Sequence, residues 1–195
     1  MPRRRAARRP AGLILTPGAG ADANQSTLVA VDEALGATGV AVRRVDFPYR
    51  LAGRRAPDRP PVLVATVVEA ATALADELGV APAEVALGGR SMGGRMCSMA
   101  AAEGLVAAAL VLISYPLHPP GRPDRLRTDH FGALDLPCLF VSGTRDAFAT
   151  PDELAEAVRA IPGPVTTVLV DGGDHGLRRR DPEVVAAVVD FVARL

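Results

Sequence analysis

Leu87-Gly88-Gly89-Arg90-Ser91-Met92-Gly93-Gly94-Arg95-Met96 decides how this chain folds. An apolar run ends at Leu87 and a helical pattern begins at Met92, so the stretch reads as a strand turning directly into a helix. Within it Gly89, Ser91 and Gly93 form G-x-S-x-G. That spacing holds a serine on a sharp strand-to-helix turn, hydroxyl exposed and backbone strained, with flanking glycines leaving room for the crossing chains. The helix start that follows aims free N–H groups and the positive end of the macrodipole at any oxyanion forming beside Ser91. Taken alone, the motif fits a Gly-rich helix start equally well, so its weight rests on its surroundings.

Working outward, short apolar runs alternate with longer segments of helical period, and each run ends in a Gly-, Pro- or Asp-bearing loop. This is the pattern of repeated βα units. Strands are predicted at 12–16, 40–46, 84–88, 109–114, 138–142 and 165–171, and helices at 26–38, 62–78, 92–103, 151–161 and 182–195. Most of the strands are continuously apolar, as parallel strands covered on both faces should be. In the second helix Val64, Val67, Val68, Ala71, Leu74, Ala75 and Leu78 recur at three- and four-residue steps, leaving Glu69, Asp76 and Glu77 for solvent. The segments 50–61 and 115–136 are long, Pro- and Arg-rich, and too short to be domains; loops of this length often rim a site. The fold expected is a single α/β domain over 11–195, about six parallel strands flanked by helices, with no cap domain.

A serine elbow of this kind calls for an acid and then a histidine at the ends of later strands. Asp146 follows the run Leu139–Ser142, and His175 follows the last run. In an open parallel sheet the C-terminal strand ends form one rim, so Ser91, Asp146 and His175 are expected to converge. His175 would take the Ser91 proton, and Asp146 would hold the imidazole tautomer. Asp146 as a cap for the helix near Pro151 is the alternative. Asp171 and Asp174 are rival acids, and His118 and His130 sit in a Pro-rich loop where a surface imidazole is the default. Met92 and Ala19 are the candidate oxyanion donors, Ala19 because Gly18 and Gly20 let the loop after the first strand approach a ligand. That loop lacks the Gly-Lys-Ser/Thr of a P-loop and the spacing of G-x-G-x-x-G. Arg90, Tyr115 and His118 are the candidate substrate-binding side chains. Arg90, Arg122, Arg125 and Arg127 either match an acidic acyl or leaving group or are solvated charges.

Composition narrows the function classes. The chain has 195 residues and is 49% hydrophobic, enough to remove roughly 70% of its unfolded surface from water in one core. Its 22 basic and 22 acidic residues balance, so no global field favours nucleic acid or an anionic membrane. All the basic residues are Arg, scattered as a GC-rich coding bias would scatter them. Met1 to Pro10 carries five arginines but leads into an apolar stretch too short for export, so it reads as a flexible basic tail. No apolar run of about 18 residues could span a bilayer. Cys97 and Cys138 sit in apolar runs, without a disulfide framework or zinc-ligand spacing, and fit a reducing cytoplasm. No metal and no cofactor is expected, and the expected partner is a small-molecule acyl substrate.

Six stretches carry a resemblance: Thr16-Pro17-Gly18-Ala19-Gly20, Phe47-Pro48-Tyr49, Gly88 through Arg95, Tyr115-Pro116-Leu117-His118-Pro119-Pro120-Gly121, Gly143-Thr144-Arg145-Asp146 and Gly173-Asp174-His175. Together they span nearly the whole chain. The sequence resembles the α/β-hydrolase superfamily and its dienelactone-hydrolase-like branch, most closely small bacterial proteins related to the hydrolase-like domain of an NSL histone-acetyltransferase complex subunit and to testis-expressed proteins. The resemblance implies a six-stranded parallel core lacking the two antiparallel strands of larger hydrolases, and it implies the roles assigned to Ser91, Asp146 and His175. There are two departures. Pro17-Gly18 stands where many members carry His-Gly, and serine stands at 91 where dienelactone hydrolases use cysteine, so their substrate does not carry over. The function expected is a serine hydrolase cleaving an ester, thioester or related acyl bond of a small soluble substrate through an acyl-enzyme. The alternative is a catalytically idle fold serving as an interaction or ligand-binding module, since fold alone does not fix function.

Overall fold

Alternate residues of a strand face opposite ways, and this period of two sorts the chain's apolar side chains into two cores. Ile14, Leu87, Leu110, Leu112, Cys138 and Phe140 belong to one core; Leu13, Leu15, Ala86, Val111, Ile113, Leu139 and Val141 belong to the other. The computed structural model describes residues 9–195. Its strands are β1 (Gly12–Thr16), β2 (Ala41–Arg44), β3 (Val85–Arg90), β4 (Leu110–Ile113), β5 (Cys138–Gly143) and β6 (Val165–Val170). They form one sheet in the order β2-β1-β3-β4-β5-β6, every pair parallel.

Helices α1 (Ser26–Gly36), α2 (Pro48–Leu51), α3 (Pro60–Leu78), α4 (Met92–Ala102) and α5 (Pro151–Ala157) lie between strands, and α6 (Asp181–Ala193) follows β6. Leu63, Val67 and Leu74 of α3 and Met96, Cys97 and Ala100 of α4 cover one face, and Leu28, Val31 and Leu35 of α1 with Val184, Val188 and Val192 of α6 cover the other. Parallel strands need this double cover, and the central ones are buried along their length apart from Arg90 at the end of β3. No cap domain interrupts the αβ alternation: residues 114–137, between β4 and β5, hold only a 3₁₀ turn at Phe131–Ala133.

The chain runs from β1 outward to β2 and returns to place β3 on β1's other side. This puts the topological switch point, where open α/β sheets form their ligand crevice, between the C-terminal ends of β1 and β3. The departures from expectation are local. Strand β2 is four residues rather than seven, because among the described residues it is an edge strand with β1 as its only neighbour. Helix α3 starts at Pro60, since proline suits the first helical turn, and the segment expected to open irregularly at Arg50 instead has its start folded into α2. The expected tail lies, for residues 1–8, outside the described residues; Pro10 is buried, and Ala11 N donates to the Glu84 carbonyl at 2.8 Å. Among the described residues no helix is long and apolar enough to cross a membrane.

Candidate active site

Ser91 sits between β3 and α4 with φ 50° and ψ −116°, left-handed backbone that a non-glycine residue adopts only under constraint. The constraint is the packing beneath it. A Cβ on Gly89 would lie 2.7 Å from Gly93 C and Gly94 N, and one on Gly93 would press into the Thr16 and Pro17 carbonyls. Only glycines at these positions let β3, α4 and the end of β1 cross so closely. Ser91 N donates to Ile113 O at 2.8 Å and Arg95 N to Ser91 O at 3.1 Å, fixing the elbow on both sides.

Ser91 Oγ lies 2.8 Å from His175 Nε2, and His175 Nδ1 lies 2.9 and 3.0 Å from the two oxygens of Asp146. The three side chains arrive from the ends of β3, β6 and β5. An ionised carboxylate only accepts, so Nδ1 carries the proton and Nε2 accepts from the serine hydroxyl. The Asp146 side chain is wholly buried, and its Oδ1 also accepts from Phe148 N at 2.8 Å. Phe148 stacks on His175 with ring centroids 3.9 Å apart, and Arg90 donates to the His175 carbonyl at 2.7 Å. The imidazole is thus held at its ring face, its Nδ1 edge and its backbone. Asp146 does not cap α5, whose cap is Thr150 paired with Glu153. The rival acids Asp171 and Asp174 are exposed, and neither hydrogen-bonds to His175.

Beside Ser91 the loop after β1 folds over α4's first turn. Ala21 N donates to Gly18 O at 3.1 Å; in a trans peptide the Ala19 N–H then points the opposite way, out of the turn. The hydroxyl of Tyr49, a buried residue of α2, donates to the Ala19 carbonyl at 2.8 Å, and Asp46 accepts from Ala23 N at 2.8 Å. Met92 N opens α4, where helix geometry leaves the N–H without an intrahelical acceptor. Ala19 and Met92 both line a cleft of about 610 Å³ that also contains Ser91, His175, Arg90, Arg95, Arg127, Pro116 and Phe148.

The fold is that of one family. The description "Alpha/beta hydrolase domain" matches residues 9–187. The chain belongs to the alpha/beta hydrolase family. Epoxide hydrolase A of Mycobacterium tuberculosis is 38% identical over 63 residues, 32% of this chain, though that stretch is only 20% of the mycobacterial protein. Est1E from Butyrivibrio proteoclasticus superposes with TM-score 0.76 at 18% identity, covering 99% of this chain and 90% of that one. A dienelactone hydrolase from Anabaena variabilis gives 0.71 at 20%, covering 94% and 84%. At these identities the structural likeness is one of fold.

Two expected substrate contacts lie elsewhere in this hydrolase fold. Tyr115 is buried, donates from its hydroxyl to Arg127 O at 3.0 Å and packs against Phe131 and Phe140; burial raises its pKa to about 12. His118 is buried rather than a surface imidazole, with Nδ1 donating to Pro119 O at 2.8 Å and Nε2 to Glu153 at 3.2 Å. Burial opposes its charge, but the two acceptors outweigh it and raise its pKa. Both side chains anchor the loop they were expected to project from. His130 is likewise no surface group: it lies 2.8 Å from buried Ser98, and burial, reinforced by Arg95, lowers its pKa to about 4. Arg122 and Arg125 are exposed on the loop. Sequence reading missed Arg95, Phe148 and Tyr49. Arg95 had a signal, since it stands four residues after Ser91 and so on the same helical face; the other two are placed by tertiary packing alone.

Proposed function

We propose that this protein is a serine hydrolase that cleaves a carboxylic ester, thioester or related acyl bond of a small soluble substrate through an acyl-enzyme. The observation that carries this reading is the unbroken relay from Ser91 Oγ to His175 Nε2 at 2.8 Å and from His175 Nδ1 to Asp146 at 2.9 Å. Ser91 Oγ attacks the acyl carbon as its proton passes to His175 Nε2, and the carbonyl π pair moves to oxygen. The oxyanion is received by the N–H groups of Met92 and Ala19, each such donor being worth roughly 10²–10³ in rate. Collapse expels the alcohol or thiol, which takes the proton from His175. Water then attacks the acyl-serine, His175 takes its proton, and Ser91 departs with that proton to release the acid. Asp146 remains ionised throughout and stabilises the imidazolium.

The positive φ of Ser91 supports the assignment because it accompanies a hydroxyl set 2.8 Å from His175 Nε2; Ser114 shares the backbone, at φ 49°, without a partner for its hydroxyl among the described residues. The absence of an inserted domain over the cleft suits short or extended substrates. The kinship with the NSL-subunit and testis-expressed proteins, read from the Arg90-Ser91-Met92-Gly93 elbow and the 115–121 loop, is part of the same proposal. So is a reducing cytoplasm, the compartment that best suits two buried free thiols. A panel of short-chain p-nitrophenyl esters and acyl thioesters, with Ser91→Ala as blank, tests the reading. Turnover that drops about 10⁴–10⁶-fold in the variant is expected. Turnover equal in both proteins, or absent from both, leaves the idle-fold alternative.

A further inference from the structure

Three arginines from three separate elements line the cleft beside Ser91: Arg90 at the end of β3, Arg95 in the first turn of α4 and Arg127 from the loop before β5. Elsewhere Arg43, Arg44, Arg54, Arg180 and Arg194 are matched with carboxylates. Among the described residues none of the three cleft arginines has such an ion pair. The Nε atoms of Arg90 and Arg95 are buried with no hydrogen-bond partner. Arg90 at least feels Asp146 and Asp174, though burial still lowers its pKa. Arg127 has burial against it and then the like charge of Arg95, and both lower its pKa. Like charges held together and partly withdrawn from water destabilise a fold unless an anion joins them.

The arrangement is built rather than incidental. Arg127 is fixed on both sides of its peptide, N donating to Leu117 O at 2.8 Å and O accepting from Tyr115 at 3.0 Å. Met92, Pro116 and Phe148 add apolar surface to the wall, suited to a short run of methylenes between the anion and Ser91.

We propose that Arg95 and Arg127, with Arg90 beside them, form an anion subsite, and that the substrate is an acyl compound bearing a carboxylate, the simplest form being a half-ester of a short dicarboxylic acid. The planar guanidinium forks match a carboxylate two bonds at a time, which a single ammonium does not. The proposal rests on the hydrolase reading for its chemistry but not for its binding site.

The test has a kinetic and a binding arm. The kinetic arm compares the p-nitrophenyl half-ester of glutarate with p-nitrophenyl valerate, which has the same chain length without the charge, and the acetate of 4-hydroxybenzoate with phenyl acetate. Preference in the first pair puts the anion on the acyl side, and preference in the second puts it on the leaving group. We expect at least a tenfold higher kcat/KM for one charged ester, carried mainly by KM. That ratio should fall toward one in Arg127→Gln and recover in part in Arg127→Lys, with Arg95→Gln as a second probe should Arg127→Gln not fold. The binding arm follows thermal unfolding of the wild-type protein with glutarate, inorganic phosphate or chloride at equal ionic strength. Stabilisation by glutarate that is lost in the arginine variants supports the subsite even if no ester turns over, a result that would count against the hydrolase reading alone. Equal or slower turnover of both charged esters, or a preference and a glutarate effect that survive both arginine variants, overturns the subsite.

Discussion

Replacing Gly93 with alanine sets two physical effects of opposite sign against each other. Gly93 is the second residue of α4, and intrinsic propensity favours alanine over glycine in a helix by up to about 1 kcal/mol. Packing opposes the change. The new Cβ would lie 2.6 Å from Pro17 O and from Thr16 Oγ1, and closer still to Thr16 O, whereas real Cβ contacts almost never fall below 3.0 Å. The Thr16–Pro17 backbone or the elbow must therefore move by at least about 0.4 Å, and neither is free to, since the Thr16 hydroxyl is bonded to Gly88 O and Ser91 N to Ile113 O. Overpacking of this kind costs about 1–3 kcal/mol, so the steric effect wins and the variant is less stable by about 1–2 kcal/mol, lowering Tm by roughly 2–8 °C for a domain of this size. The loop that moves carries Ala19. A misplacement near 1 Å can cost about 100-fold in rate, so a shift of a few tenths of an ångström should reduce kcat about 5- to 20-fold. Thermal unfolding and ester kinetics read both numbers, with Gly132→Ala, whose Cβ would meet nothing within 4 Å, as the matched control. A Gly93→Ala protein more stable than wild type, as propensity alone demands, and equally active would refute the account of why the elbow needs glycine.

Three further outcomes follow. Asp146→Asn should lower kcat about 10⁴-fold at neutral pH while the protein stays folded, because an amide in that place favours the wrong imidazole tautomer; circular dichroism beside ester kinetics checks it, and loss below tenfold would remove Asp146 from the relay. His130 should make the fold acid-sensitive. Its unfolded pKa is about 6.5 and its folded pKa about 4, so between these values the unfolded state binds the extra proton and stability falls as pH falls, by at most about 3 kcal/mol and about 1–2 kcal/mol once screening of a half-buried ring is allowed for. His118, with a raised pKa, keeps its contribution below pH 6.5 and loses it on the alkaline side; urea titrations of wild type and His130→Gln from pH 4 to 7 should therefore differ in slope. Gly36→Ala, at the exposed end of α1 without a positive φ and with nothing within 4 Å of the added Cβ, should stabilise by about 0.5–1 kcal/mol; a lower Tm would contradict it.

The sheet is legible because its central strands are buried on both faces and so read as continuous apolar runs; the predicted strand 12–16 coincides with β1. Edges and helix ends were less so. Val45 and Asp46 look like strand but, among the described residues, have no second neighbour to pair with, and α2 is too short to show a period. The relay side chains were legible for a different reason: each stands at the end of a strand, and in an all-parallel sheet those ends share one rim. Tyr115 and His118 misled because a sequence gives residue type and loop, not the direction a side chain takes. An aromatic and an imidazole among prolines look available to a ligand, yet here they fill the space beneath the loop and satisfy its backbone. Arg95 was hidden in plain view within the elbow, and its significance appears only once Arg127 is brought beside it.

The most direct test of the central claim, that Ser91 is a nucleophile activated by His175, is stoichiometric labelling with a fluorophosphonate read by intact-protein and peptide mass spectrometry. The account predicts one phosphonyl adduct per chain, confined to the peptide containing Ser91, absent from Ser91→Ala and strongly slowed in His175→Ala. A folded wild-type protein that takes no label, or takes it equally in Ser91→Ala, would contradict it.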